Sequence, residues 1–413
     1  MEQLFPTVRS YAWGSRSALA QLRGDDRPSA HPEAELWLGA HPGDPAMLAD
    51  GRSLLAAIDD DPVGQLGPAV VERFGGQLPF LLKILAAEEP LSLQAHPSKT
   101  QAEEGFDREQ RAGIAVDAQD RNYRDRNHKP EIVVALTDFE ALAGFRCPVQ
   151  TVAVLEALGV PELEPHAALL RGQPDEEGLR ALFTTWITMP QSAVDQLLPA
   201  VLDGCVRYLT ANGADDPLAT VLRSTLEIGE AYPGDVGVLS ALLLNRIDLR
   251  PGEGLYLPAG NLHAYLRGTA VELMASSDNV LRGGLTPKHV DVPELLRVLD
   301  FHGMDVDPMT DRDGSGAPVP GEYVYPLHAA DFRLSRIRAT AEPLTLPGRG
   351  AGSPAGPEVL LCVGGRAVLE CDGRTQVLGP TEAAWVPAAD GAVRVRAEDG
   401  PALLFRAVVP TDR

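Results

Sequence analysis

Hydrophobic residues along this chain fall into three successive textures. In residues 1–150 they form short runs broken by Gly, Pro and Asp, "AELWLGAHPGD", "PFLLKILAAEEPLSLQAHPS" and "PEIVVALTDFEALAGF", which predict strands. Between them, "KTQAEEGFDREQRAGIAVDAQDRNYRDRNH" is polar and turn-rich and predicts a surface excursion. From about 150 to 245 the apolar positions take helical spacing in "TVAVLEAL", "EEGLRALFTTWI", "QSAVDQLLPAVLDGCVRYL" and "DPLATVLRSTLEIGEAY". In the last of these Asp216 can cap, Pro217 suits the first helical position, and Leu218, Val221, Leu222 and Leu226 share a face. Strand texture returns at "NRIDLRPGEGLYLPAGNLHAYL" and "TAVELMASSDNVLRGGL", and after a linker, "MTDRDGSGAPVPGE", a β-rich block runs from Glu322 to the end. The expected fold is mainly β with a helical insertion. Residues 1–150 plus 246–308 form one β domain, 151–245 a helical domain and 322–413 a second β domain.

Composition narrows the function classes. The 58 acidic and 36 basic side chains leave a net charge of −22 with no run of Lys or Arg, so nucleic acid is not an expected partner. A small anion remains compatible, because screening over ~8 Å lets a few local cations outweigh a distant acidic surface. No apolar stretch approaches the ~18 residues of a membrane span, so no membrane partner is expected either. The opening "MEQLFPTVRSYAWG" has no basic n-region or apolar h-region, and the cytoplasm is the expected location. The four cysteines, Cys147, Cys205, Cys362 and Cys371, lack CxxC spacing and read as reduced packing residues.

The chemistry gathers around "GEGLYLPAGNLHAYLRG". Residues Gly252 to Arg267 match the second cupin motif: Gly, five residues, Pro-x-Gly, two residues and His263, with Arg267 where that motif usually has Asn. The turn aims the imidazole into a barrel mouth, where a small jelly-roll can hold a metal. Alone, the motif also fits a core histidine bonded to backbone. Gln94 and His96 in "SLQAHPSK" share a strand face at i and i+2, as two ligands of one metal require. In "NHKPEIVVAL", Glu131 follows a proline that fixes the strand entry. "GPTEAAWVPAADGAVRVR" echoes the strand, Pro-Ala turn and strand near Pro387, with no histidine, so no metal is expected there.

In order, "YAWGS", "AELWLGAHP", "LPFLLKIL", "SLQAHPSK", "NHKPEIVVALTDFEALAGF", "YLPAGNLHAYL" and "ELMASSDNVLRGGLTPKHVDV" make the chain similar to the type I mannose-6-phosphate isomerases. The resemblance implies a cupin catalytic domain interrupted by a helical domain and followed by a second cupin-like domain. It also implies one zinc per chain, held at the positions of Gln94, His96, Glu131 and His263. Two imidazoles, an amide and one carboxylate would leave the site a Lewis acid near +1, suited to interconverting an aldose and a ketose phosphate through an enediol. The activity so implied interconverts mannose 6-phosphate and fructose 6-phosphate and feeds mannose activation, with a small sugar phosphate as partner and a monomer as the expected state.

Phosphate and proton handling call for further residues. Lys83, Lys99, Lys129 and Arg282 would give a cationic pocket, and Ser92 offers a hydroxyl. Lys83 lies between Leu82 and Ile84 on an apolar strand, which is costly unless it faces a polar pocket. The resemblance places Arg282 and Lys129 in the active site, and Tyr265 joins the substrate-binding set. Glu272, Asp278, His128 and a hydroxide at the metal are candidate proton carriers, unranked by sequence; Glu272 could instead simply pair with Arg282 or a lysine. A cupin dioxygenase is disfavoured because a Gln-His strand pair does not suit its iron triad. A non-catalytic sugar-binding cupin with a metal is the competing class, and it would need no Lys83, Lys129 and Arg282 cluster. The Gly-rich "PGRGAGSPAGPE", residues 347–358, lacks a Gly-Lys-Ser/Thr ending and reads as a hairpin loop.

Overall fold

The computed structural model describes residues 1–213, 215–311, 321–347 and 356–411 and combines β-sheets with helices. The "PGRGAGSPAGPE" and "MTDRDGSGAPVPGE" readings fall mostly outside the described residues. Strands from residues 1–150 and from 254–275 form an antiparallel layer in the order Gly254–Leu257, Glu131–Ala135, His263–Ala275, Phe80–Ala87, Glu35–Gly39 and Thr7–Arg9.

One long strand ties this layer to a second. The last part of His263–Ala275 pairs with Phe80–Ala87 and Glu131–Ala135, whereas its start pairs with Phe139–Phe145 and sets His263 opposite Gln94. A register shift between Tyr265 and Arg267, followed by Gly268 at φ 118°, turns the strand from one layer to the other. A Cβ on Gly268 would meet the Asp138 carbonyl oxygen at 2.6 Å, so the corner needs glycine. The Pro-Ala-Gly turn therefore does not close a hairpin. Gly254–Leu257 and His263–Ala275 lie on either side of Glu131–Ala135, and the turn carries the chain between layers. The echo near Pro387 behaves alike: Ala383–Val386 and Arg394–Ala397 belong to different sheets.

Buried side chains show how the parts adhere. Leu85, Val133, Phe139, Ile247, Leu255 and Leu257 fill the space between the two layers. The outer face of the first layer, with Leu36, Leu82, Ile84, Val134 and Leu273, shares a core with Val359, Leu361, Trp385 and Phe405 of the C-terminal sheet. The helices from Pro148–Ala157 to Gly237–Ala241 pack Trp186, Val201, Leu222 and Ile228 against Leu93, Ala95, Leu262 and Leu281 of the second layer. The two ends of the chain meet, since Glu2–Phe5 pairs with Ala383–Val386. The helix expected from Asp216 starts at Ala219, because Asp216 accepts from the Leu218 N–H at 2.8 Å within a turn.

The polar excursion after Lys99 departs most from expectation. Lys99–Arg111 is a helix started by a capping box in which the Ser98 N–H donates to Gln101 Oε1 at 2.9 Å. Gly105 gives room for the Tyr123 ring, which is fully buried and whose hydroxyl donates to Glu294 Oε1 at 2.5 Å. Glu109 accepts from the Asn122 and Tyr123 N–H groups at 3.1 and 2.9 Å, and buried Arg121 donates to the Tyr123 carbonyl at 2.6 Å. The segment is polar because its contacts are hydrogen bonds, which periodicity does not register. Tyr123→Phe should cost about 1–2 kcal/mol, read as a lower urea midpoint with unchanged m.

Candidate metal centre and active site

Three strands and one turn converge on a small volume at one end of the space between the layers. His96, Glu131 and His263 are 2, 2 and 4% exposed, and their ligand atoms lie within 4.8 Å of one another. His96 Nε2 is 3.3 Å from Glu131 Oε1, and His263 Nε2 is 3.6 Å from Glu131 Oε2. Each imidazole has its other nitrogen engaged with a backbone carbonyl. His96 Nδ1 is 2.8 Å from the Asn279 oxygen and His263 Nδ1 is 3.0 Å from the Asn261 oxygen. An Nδ1–H donated to a carbonyl leaves the Nε2 lone pair facing Glu131, the orientation a metal-binding histidine needs. Gln94 stands opposite both His263 and Arg282 in register, and its Nε2 donates to Ser92 Oγ at 3.3 Å. Its amide oxygen is thus the part left to bind a cation.

Charge explains why a cation belongs here. Lys129 Nζ lies 2.6 Å from Glu131 Oε1 and 3.5 Å from His96 Nε2. Burial alone would raise the Glu131 carboxyl; Lys129 and the two imidazoles outweigh it and hold the carboxyl well below its usual range. Burial, then Lys129, pushes His96 down to about 4, so it is neutral and able to ligate at neutral pH.

A second buried group adjoins the first. Trp37, Lys83, Glu272 and Val133 form one cross-strand row on the face that carries Glu131. Lys83 Nζ donates to Glu272 Oε2 at 2.9 Å and lies 3.9 Å from Glu35 Oε1, while Tyr265 Oη donates to Glu272 Oε1 at 3.0 Å. The Trp37 indole N–H donates to Glu35 Oε2 at 2.6 Å. Burial would lower Lys83, but Glu272, Glu35 and Glu131 hold it protonated. Glu272 is raised, by burial first and then by Glu131 and Glu35 against the pull of Lys83. The cause is simple: Glu35, Glu131 and Glu272 are three buried carboxylates beside only two buried ammonium groups, Lys83 and Lys129. A divalent ion held by Gln94, His96, Glu131 and His263 would correct that excess, so the residues present fit a metal.

The remaining expected residues separate. Lys83 is already held by two carboxylates, so it is not the free cation a phosphate would take, and Glu272 pairs with it rather than with Arg282. Lys99 is exposed on the first turn of its helix, beside Glu103 and Asn127. His128 Nε2 is 2.7 Å from Asp331, which reaches over from the C-terminal region. Asp278 Oδ1 is 3.2 Å from His41 Nε2, and its carboxyl is lowered by His41 first, with Lys129 and Arg124 adding. Arg282 is half-buried, lowered by burial and then by Arg124. Lys288 is lowered by burial, Arg282 and Arg124. Among the described residues, none of the cations Arg124, Arg282 and Lys288 is ion-paired to a carboxylate.

Sequence reasoning passes over Glu35, His41, Arg124 and Lys288. Glu35 has a signal, a carboxylate heading the otherwise apolar "ELWLG". Lys288 has one, since it lies in the quoted "ELMASSDNVLRGGLTPKHVDV" shortly after Arg282. Arg124 has none, because only folding brings it to those two.

Residues 1–148 match the family model described as phosphomannose isomerase type I, catalytic domain. Mannose-6-phosphate isomerase of Escherichia coli (strain K12) is 39% identical over 404 residues, spanning 96% of this chain and 97% of that protein. The Bos taurus mannose-6-phosphate isomerase is 32% identical over 421 residues, 95% of this chain and 93% of that one. A crystal structure of mannose 6-phosphate isomerase bound with zinc and yttrium superposes with a TM-score of 0.85 at 37% identity, covering 99% of both chains. A variant of the Salmonella typhimurium phosphomannose isomerase gives 0.86 at 37% identity and the same coverage. The chain belongs to the type I mannose-6-phosphate isomerase family.

Proposed function

We propose that this protein is a zinc-dependent isomerase that interconverts mannose 6-phosphate and fructose 6-phosphate through a cis-enediol. The observation that carries the reading is the buried group His96, Glu131 and His263 with half-buried Gln94 paired to Arg282 in register, Arg282 being one of three mutually repelling cations that, among the described residues, have no ion pair to a carboxylate. We assign the phosphate to Arg282, Arg124 and Lys288, because cations that repel one another are relieved by a dianion. Zinc, when bound, supplies a positive charge beside the two sugar oxygens that carry the developing enediolate.

Moving hydrogen between adjacent carbons needs a group that takes a proton and returns it. Glu272 suits that role, since it is buried, its affinity for a proton is raised, and Tyr265 and Lys83 fix both its oxygens. Asp278 is lowered by His41 and suits it less. Lys129 keeps Glu131 ionised and so keeps the ligand set ready.

In the same reading, 1–150 plus 246–308 form the cupin catalytic domain, 151–245 the helical insertion and 322–413 a cupin-like domain without metal. No disulfide joins Cys147, Cys205, Cys362 and Cys371, which supports a reducing cytoplasm. No described helix is long and apolar enough to cross a membrane. We assign a monomer that feeds mannose activation.

The test measures metal content and mannose 6-phosphate turnover before and after chelation, in wild type and Arg282→Ala. Arg282→Ala should keep its zinc and lose about a hundredfold or more in kcat/KM. A metal-free protein with full activity would sink the mechanism, and a fully active Arg282→Ala would sink the phosphate assignment.

A further inference from the structure

A short turn of the helical insertion hydrogen-bonds to two segments of the active site. Tyr232 ends the helix Ala219–Ala231, and the chain then runs to Gly237–Ala241. In this turn Asp235 uses both carboxylate oxygens. Oδ1 accepts from the Gly237 N–H at 2.7 Å, and Oδ2 accepts from the Thr286 N–H at 3.1 Å, 51 residues away. Tyr232 Oη donates to the Pro90 carbonyl at 2.6 Å. The turn therefore grips both segments that meet at the Gln94–Arg282 pair, 90–94 and 282–288.

The second segment is in a conformation that needs gripping. Gly284 has φ 119°, and Leu285, buried and not glycine, has φ 56°. A Cβ on Gly237 would meet the Leu285 nitrogen at 2.7 Å, and one on Gly284 would meet Gly237 Cα at 2.6 Å, so two backbones press together with no side chain between. Leu93 bonds the same loop from the other side, its N–H donating to the Gly284 oxygen at 3.1 Å and its carbonyl accepting from the Gly283 N–H at 2.8 Å. Thr286 passes the restraint on, since its Oγ1 accepts from the Lys288 N–H at 3.1 Å. Arg282 stands before the strained residue and Lys288 after it.

We infer that Asp235 is a positioning residue through which the helical insertion sets Arg282 and Lys288 for the substrate phosphate. The inference rests on the phosphate assignment above. Asp235 touches neither substrate nor metal; it acts by holding the backbone between two cations that would otherwise repel and spread. A flexible loop would have to order both side chains at each binding event, at a cost in affinity.

Asp235→Ala is expected to raise KM for mannose 6-phosphate about tenfold and to weaken competitive inhibition by inorganic phosphate by about the same factor, with kcat within about threefold and zinc content unchanged. Asp235→Asn, whose amide oxygen still accepts from one of the two N–H groups while its NH2 meets the other, should recover only part of the loss. Asp216→Ala serves as the comparison: it removes a carboxylate bonded to the Leu218 N–H at 2.8 Å and to Tyr208 Oη at 3.1 Å in the same helical region, and should lower Tm without moving KM. An Asp235→Ala protein with wild-type KM and phosphate inhibition, whatever its Tm, overturns the inference. If wild type did not turn over mannose 6-phosphate, the functional reading would fall, and amide hydrogen exchange would decide on the clamp. Slow exchange at Gly237 and Thr286 that becomes fast in Asp235→Ala supports it; equal rates overturn it.

Discussion

A His263→Ala protein is expected to purify with less than about a tenth of the wild-type zinc and to turn over mannose 6-phosphate about a thousandfold more slowly. His263 is 4% exposed, its Nδ1 faces the Asn261 carbonyl, and its Nε2 faces Glu131. Removing the ring would delete one of the four ligands we assign and leave the excess carboxylate charge without its counter-ion. The competing view, a core histidine that packs between strands, makes a different forecast. It expects a fall in Tm with metal content and activity per folded molecule intact. Elemental analysis on protein whose far-UV circular dichroism matches wild type separates the two. Full zinc content in His263→Ala would remove His263 from the ligand set.

Glu272→Ala is expected to act on stability and on catalysis together. Lys83 would be left at 8% side-chain exposure with only Glu35, 3.9 Å away, and Tyr265 would lose its acceptor. Breaking a buried pair by deleting one partner costs about 3–5 kcal/mol, because the other charge stays buried. Turnover should fall about a thousandfold if Glu272 carries the proton. The double variant Lys83→Met/Glu272→Leu isolates the two effects. Apolar groups of similar size remove the stranded charge and should restore most of the urea midpoint, yet none of the activity. Activity in the double variant near the wild-type level would show that the pair serves folding alone.

Much of the site is legible in the sequence, and for a chemical reason. Gln94 and His96 stand two apart in one strand-like run, Glu131 follows Pro130, and His263 follows a Pro-x-Gly turn, so each assigned ligand carries a local signal. The strand and helix textures are legible too, because burial imposes periods of 2 and 3.6. The excursion after Lys99 escapes that pattern, since its order comes from Glu109, Arg121 and Tyr123, polar groups whose hydrogen bonds leave no period. The strands flanking the Pro-Ala-Gly turn look paired in sequence and are not, because adjacency says nothing about the strand that slips between, here Glu131–Ala135.

Local signals in the chain thus settle most of the elements and the four residues we assign as metal ligands. The pairings come only with the folded molecule. Lys83 meets Glu272 and Glu35 across the sheet. Arg124 joins Arg282 and Lys288 across more than 150 residues of chain. Asp235 of the insertion grips Thr286, and Glu2–Phe5 enters the C-terminal sheet. The physical reason is range: propensity and periodicity act over a few residues, whereas hydrogen bonds and ion pairs act over a few ångströms, and only the folded chain converts one distance into the other.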